Sequence, residues 1–200
     1  MPFISNGTTI LDNGAFSVGL GNKILLSTQT ASASASISFT SGIDSTYDVY
    51  QFELNSIHPQ NDNIEFNFNF STDGGSNYNV TKTTTFFRTY HYENDTGTYF
   101  NYLADSDLAQ GTGDQRFLRE IGNDNDQSGS GTLYLYSPSS STYVKHFMAV
   151  GNVAHSVDVT MGYFVAGYCN VTTPVDSIIF RCSSGNIDAG TIKMYGIKGS

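Results

Sequence analysis

Tryptophan is absent from the 200 residues, and cysteine occurs only twice, at Cys169 and Cys182. Two cysteines are too few for a disulfide framework. They fall on what read as consecutive strands, 163–171 and 177–183, and are expected as two buried thiols rather than a cross-strand disulfide, free cysteine being among the most buried residue types. Arg181 precedes Cys182, but adjacent residues of a strand point to opposite faces, so no cationic partner in sequence is expected to activate either thiolate. Long apolar runs are missing as well. No stretch approaches the ~20 residues that span a bilayer, and no basic segment followed by an apolar one opens the chain, so a soluble protein without a conventional secretion signal is expected. Positive charge is scarce: nine Lys and Arg stand against 18 Asp and Glu, a net charge of −9. Such a chain repels phosphate backbones and anionic bilayers, which argues against nucleic-acid partners and membrane insertion. There is no G-x-S-x-G, no phosphate-cradling Gly-rich loop with Lys, and no H-E-x-x-H.

What is present is two-residue alternation. Ile64, Phe66, Phe68 and Phe70 alternate with Glu65, Asn67, Asn69 and Ser71 before Asp73-Gly74-Gly75. This period sets the apolar side chains on one face of a strand and the polar ones on the other, a half-buried β-strand ending in a turn. Tyr50, Phe52 and Leu54 repeat the pattern over 48–56, and His58-Pro59 closes it. Further strands are expected at 23–28, 80–88, 132–136, 143–150, 162–171, 177–183 and 191–197, with 116–121 either a strand or one helical turn. The 48–56, 64–71 and 80–88 strands read as a meander with short loops. Fourteen Phe and 13 Tyr supply a large core, and the chain suits one all-β domain, an antiparallel jelly-roll-like β-sandwich over residues 31–200. Residues 1–30 differ. Phe3, Ile4, Ile10, Leu11, Phe16 and Val18 are spaced irregularly on a Gly-rich thread, which reads as an extended N-terminal arm, with the first short strand, laid over its own sandwich or a neighbouring subunit. Ala31–Ser36 reads as a connector.

The chemistry-bearing candidates are few. Residues 89–131 are dense in Asn, Asp and Gly and read as a long loop region. Its aromatics Tyr90, Tyr92, Tyr99, Phe100 and Tyr102 suit glycan stacking or a partner contact, since such rings offer a rigid apolar face, some with a polar handle; simple packing under a long loop is the competing reading. Asp124, Asp126 and Ser128, with Gly129 sixth in the run, match the first half of a calcium loop, but Leu135 stands where the bidentate acid belongs. An Asx-rich turn is the expected reading, and no cofactor or metal is expected. His58, His91, His146 and His155 share no ligand spacing. A glycosidase would need two carboxylates roughly 5–10 Å apart, and Asp105, Asp107, Asp114 and Glu120 are the ones a depolymerase would draw on. No enzyme is expected.

Ile37-Ser38-Phe39-Thr40-Ser41-Gly42-Ile43-Asp44-Ser45-Thr46-Tyr47-Asp48 and Ser184-Gly185-Asn186-Ile187-Asp188-Ala189-Gly190-Thr191-Ile192-Lys193-Met194-Tyr195-Gly196-Ile197 resemble uncharacterised virion proteins of tailed bacteriophages, marine ones especially. Phe70–Tyr78, Asn123–Gly129, Ser137-Pro138 and Val144-Lys145-His146-Phe147 fit the same pattern, and Met1-Pro2-Phe3-Ile4 is similar to the start of phage fibre-type proteins. The resemblance implies a structural component of the virion surface, made in the host cytoplasm. A non-enzymatic tail-fibre or receptor-binding protein is the leading expectation and a capsid decoration protein the alternative. The partners expected are copies of itself, most simply as a trimer, other virion proteins, and a host-surface glycan.

Overall fold

The computed structural model describes residues 3–5, 8–12, 15–16 and 22–198. All regular structure there is β: β1 Phe3–Ser5, β2 Thr8–Asp12, β3 Ala15–Phe16, β4 Lys23–Thr30, β5 Ile37–Phe39, β6 Val49–Pro59, β7 Ile64–Ser71, β8 Lys82–Tyr92, β9 Thr98–Tyr102, β10 Gln115–Ile121, β11 Gly129–Tyr136, β12 Lys145–His155, β13 Val159–Cys169, β14 Ser177–Cys182 and β15 Ile187–Ile197. Strands β4 to β15 form two antiparallel sheets, an eight-stranded one in the order β4-β15-β6-β11-β12-β13-β8-β9 and a four-stranded one in the order β10-β7-β14-β5. The expected β-sandwich is the fold.

The pairing is nested. Strand β4 pairs with β15, β5 with β14, β6 with β11 and β7 with β10. Such nesting is what one long hairpin leaves when it rolls into two layers. The four strands outside the nest, β8, β9, β12 and β13, all lie beyond β11 and widen the large sheet. The meander expected over β6, β7 and β8 is therefore not the connectivity. These three strands alternate between sheets and none pairs with the next. Alternation assigns each side chain to a face but carries no information on which sheet a strand joins.

The core lies between the sheets and is mostly aromatic. Tyr50, Phe52, Phe66, Phe68, Phe70, Phe86, Phe117, Phe147, Tyr163 and Phe180 are fully buried. In β7, Phe66, Phe68 and Phe70 face inward as the period requires. The polar face of that strand is not a solvent face, however: Asn67, Asn69 and Ser71 are buried too. Asn69 Nδ2 donates to Thr112 O at 3.1 Å and to Asp114 Oδ1 at 3.0 Å, and Ser71 Oγ donates to Asp73 Oδ1 at 2.6 Å. Polar side chains stay buried where their hydrogen bonds are supplied, as for Asn69 and Ser71, whereas Asn67 Oδ1 is buried with no partner among the described residues.

The N-terminal residues also depart from an extended thread. Strands β1, β2 and β3 pair with one another, Phe3 opposite Leu11 and Leu11 opposite Phe16. Of the arm candidates, Phe3, Ile4, Ile10, Leu11 and Phe16 lie in this small sheet, Ile4 is exposed, and Val18 lies outside the described residues. Ala31–Ser36 is a connector bridged to the last strand through Ser34 and Ile187, and β5 begins at Ile37.

Candidate functional site: an uncharged sheet face and its groove

Residues 89–131 are not one long loop. Strand β8 runs on to Tyr92, a turn over 93–97 reverses the chain, and β9 returns beside it as the edge of the large sheet. Asp95 takes a left-handed φ of 58° in that turn, which Asp tolerates better than most residues. Residues 103–114 and 122–128 are loops flanking β10, and β11 begins at Gly129, so 116–121 is strand rather than helical turn.

The hairpin divides the five aromatic candidates between two faces. Tyr90 and Tyr92 pack against the core, and Tyr99 stacks on Tyr90 with centroids 4.6 Å apart. Phe100 and Tyr102 lie on the opposite, outward face with Phe87, which is directly across from Tyr102. They therefore do not form a single contact surface. Phe100 is the most exposed of them, at 70%.

Outward-facing positions of the large sheet show what the candidates missed. On β8 these are the odd residues 83–91, and on β9, β11, β12 and β13 the even ones. None of them is Asp, Glu, Lys or Arg. One cross-strand row runs Tyr102, Phe87, Phe164, Val150, Thr132 before reaching Glu53 and Lys193. Within the row charge appears at that far end, where Glu53 pairs with Lys23, and at the β8–β9 edge carboxylates from flanking turns reach the face, Asp107 at Tyr102 and Asp95 at His91. Phe87 stacks on Phe164 at 5.0 Å and meets Phe100 at 5.3 Å. Met148 and Val150 are half exposed beside them, and Tyr134 stacks on Tyr136 at 6.3 Å. A contiguous apolar, uncharged surface of this kind is unusual on a free protein and marks contact sites.

A groove of about 630 Å³ opens in this face near the β8–β9 edge, lined by Thr89, His91, Thr98, Phe100, Asn152 and Thr160 among others. Gly162 makes the floor: a Cβ there would come within 2.8 Å of Thr89 Oγ1. Asn152 is held by its amide, which donates to Thr160 Oγ1 at 2.8 Å and to Met161 O at 2.9 Å. Its carbonyl oxygen lies across the groove from the Phe100 ring, with the Thr89 and Thr160 side chains between the two ends. Neutral donors and acceptors next to an aromatic plane recognise an uncharged, hydroxyl-bearing molecule.

Two of the four depolymerase carboxylates meet at one cation: Arg119 Nη1 lies 3.1 Å from Asp105 Oδ1 and Nη2 lies 3.6 Å from Glu120 Oε1. Asp114 is held by Arg181 in a bidentate pair, Nε to Oδ2 at 2.6 Å and Nη2 to Oδ1 at 2.8 Å. Burial pushes its carboxyl up, but Arg181 and Asn69 outweigh that and leave it below the usual range. Burial likewise opposes Asp105, which the Ser106 hydroxyl and Arg119 and Arg116 bring down. Glu120 is paired with Arg88 at 2.7 Å, and Asp107 accepts from the Tyr102 hydroxyl. A proton-donating carboxylic acid needs its pKa raised, whereas both of the shifted ones are lowered.

The calcium candidates lie in and beside an Asp- and Asn-rich β-turn. Gln127 N–H donates to Asp124 O at 2.9 Å, the Gln127 side chain folds back on Asp124, and His58 Nε2 contacts Asp124 O at 3.2 Å. Among the described residues no three His, Cys, Asp or Glu side chains converge on a metal-sized site. Both cysteines are free and buried, and burial pushes each thiol up to about 12. The sequence hid one relation: Cys169 lies in register between Lys145 and Lys82 on the neighbouring strands, cationic neighbours that chain proximity did not reveal.

The class defined by these features is a two-layer antiparallel β-sandwich with an uncharged aromatic sheet face. Comparison with known proteins returns no family model, no curated protein and no solved structure that matches the chain.

Proposed function

We propose that this protein is a non-enzymatic structural component of a phage virion, of the tail-fibre or receptor-binding type, that works through the outer face of its large sheet. The observation that carries the reading is the absence of charge from five adjacent strands of that face, in a chain with net charge −9. Copies of an acidic protein repel each other over most of their surface, and an uncharged apolar face is where they can meet without desolvating like charges. The middle of the face, around Met148, Val150 and Tyr134, is the contact between copies. The groove at Phe100 and Gly162 meets an uncharged host-surface glycan. The nested strand order fits a jelly roll widened by two inserted hairpins, the resemblance of 37–48 and 184–197 to virion proteins supports the setting, and the arginine-bound carboxylates support a binding role over a hydrolytic one.

A capsid decoration role is the second reading. It is favoured by the length of the uncharged face, which extends well past the groove and suits a lattice contact. Two variants separate the roles. Met148→Lys should leave a folded monomer with weakened self-association in light scattering, and Phe100→Ala should keep the assembly while losing binding to neutral polysaccharide. A wild-type protein that is monomeric, unaffected by Met148→Lys and indifferent to every neutral glycan would overturn the proposal. Assembly without glycan binding would leave decoration as the role.

A further inference from the structure

A lysine is buried at the corner where the two sheets meet. Lys82 opens β8, is fully buried, and has no carboxylate within ion-pairing distance among the described residues. Its Nζ donates instead to two neutral oxygens, Asn69 Oδ1 at 2.6 Å and Val80 O at 2.7 Å. Burying an ammonium without an anion is costly, so the site raises the question of what the amine is for. Asn69 lies on β7 one residue past the end of its pairing with β10, and it is buried as well. Its amide orientation is fixed on both sides: Oδ1 also accepts from Phe70 N–H at 2.9 Å, while Nδ2 donates to Thr112 O and Asp114 Oδ1.

These are the parts of an amide-exchange reaction. We propose that Lys82 and Asn69 join through an intramolecular isopeptide bond that covalently links the large sheet to the small one. The ammonium first gives up one proton to solvent water, and the ammonia that leaves later takes one back from solvent. The neutral amine then attacks the Asn69 side-chain carbonyl carbon, which lies one C=O bond, about 1.2 Å, beyond the oxygen it already touches. The new C–N bond forms as the carbonyl electrons move onto Oδ1, where the Phe70 N–H supports the developing charge as an oxyanion donor does. The tetrahedral carbon carries both nitrogens, so the proton passes across it from the attacking nitrogen to the departing one, while Asp114, held as a carboxylate by Arg181, accepts from Nδ2 and orients the departing group. The C–Nδ2 bond breaks and ammonia leaves. One amine and one carboxamide become one secondary amide and one ammonia, with no oxidant or reductant.

Other features agree with this assignment. Burial lowers the Lys82 ammonium to about 8, which leaves a usable fraction of free amine near neutral pH. Contact of the reacting groups in a dry, fixed site supplies the orientation that such uncatalysed acyl exchanges lack in water. The product keeps one N–H on Nζ, which Val80 O still accepts. Lys145 is an internal contrast. It is equally buried, but its Nζ donates only to the backbone, Val171 O at 3.1 Å, with no side-chain carboxamide in contact. It is expected to remain a free amine.

The test is the intact mass of the purified full-length chain, followed by a chymotryptic map. The expected mass is lower than that of the sequence by one ammonia. Cleavage after Tyr78, which lies between the two residues, should leave the Asn69 and Lys82 segments joined. Lys82→Met and Asp114→Ala should restore the full mass and the separate segments. A wild-type chain of full mass after incubation at mildly alkaline pH, with Lys82 cleaved normally by trypsin, would overturn the proposal whether or not the variants fold. So would an ammonia loss confined to a single Asn-bearing segment, which is the mark of a cyclic imide. Cross-linking that persists in Asp114→Ala would remove Asp114 from the reaction.

Discussion

Phe68→Ala tests the two-layer core at its centre. The Phe68 ring lies 5.4 Å from both Phe70 and Phe147, 6.2 Å from Phe117 and 6.5 Å from Phe180. Phe147 belongs to the large sheet, the other three to the small one, so the ring fills the space between layers. Truncating a buried Phe costs about 3–5 kcal/mol, the upper end applying where neighbours cannot collapse into the void. Here the neighbours are rigid rings fixed to hydrogen-bonded strands, so about 4–5 kcal/mol is expected. At about 2–4 °C per kcal/mol for a domain of this size, the melting temperature should fall by on the order of 10–15 °C. Phe100→Ala is the control: the exposed ring should cost within about 0.5 kcal/mol. Denaturant titration and thermal melts of both variants give the comparison. A Phe68→Ala cost below about 1.5 kcal/mol, or a larger cost at Phe100, would mean that the layers do not close on Phe68.

Acid stability should depend on the turn after β7. Asp73 accepts from the Ser71 hydroxyl and from Asn77 through both its backbone and side-chain N–H, which hold its carboxyl at about 2, below its ordinary 3.8. A carboxyl lowered in the folded state stabilises above its unfolded value, and that contribution is lost as pH falls towards 2. Asp73→Ala should therefore flatten the stability profile between about pH 4 and 2; an unchanged profile would show that these hydrogen bonds do not couple to folding. Cys169 and Cys182, with thiols pushed up by burial, should resist thiol reagents in the native protein and react only after unfolding. Labelling at the rate of a free thiol would contradict their burial.

The core was largely legible because alternation is a local property. Tyr50, Phe52, Leu54 and the Phe66–Phe70 series identified their inward faces without any knowledge of partners. Sheet membership was not legible, since β6, β7 and β8 differ in sheet but not in pattern. The burial of Asn69 was not legible for a related reason: polarity predicts a solvent face unless hydrogen-bond partners such as Asp114, distant in sequence, are known. At the candidate site, Phe100 and Tyr102 were visible as aromatics, but their separation from Tyr90, Tyr92 and Tyr99 required the β8–β9 register. The uncharged face is written in the sequence as alternate positions in five strands. It becomes readable only when those strands are placed side by side. Lys82 and Asn69 had no local signal at all, being brought together by the crossing from one sheet to the other.

The most direct measurement of the central claim is imaging of intact particles at a resolution that traces this chain. The proposed role puts the protein at the tail periphery, with the Met148–Val150 face buried against another copy and the Phe100–Gly162 groove opening outward. An outer face left bare to solvent in every copy on the particle, or a position away from any particle, would contradict it.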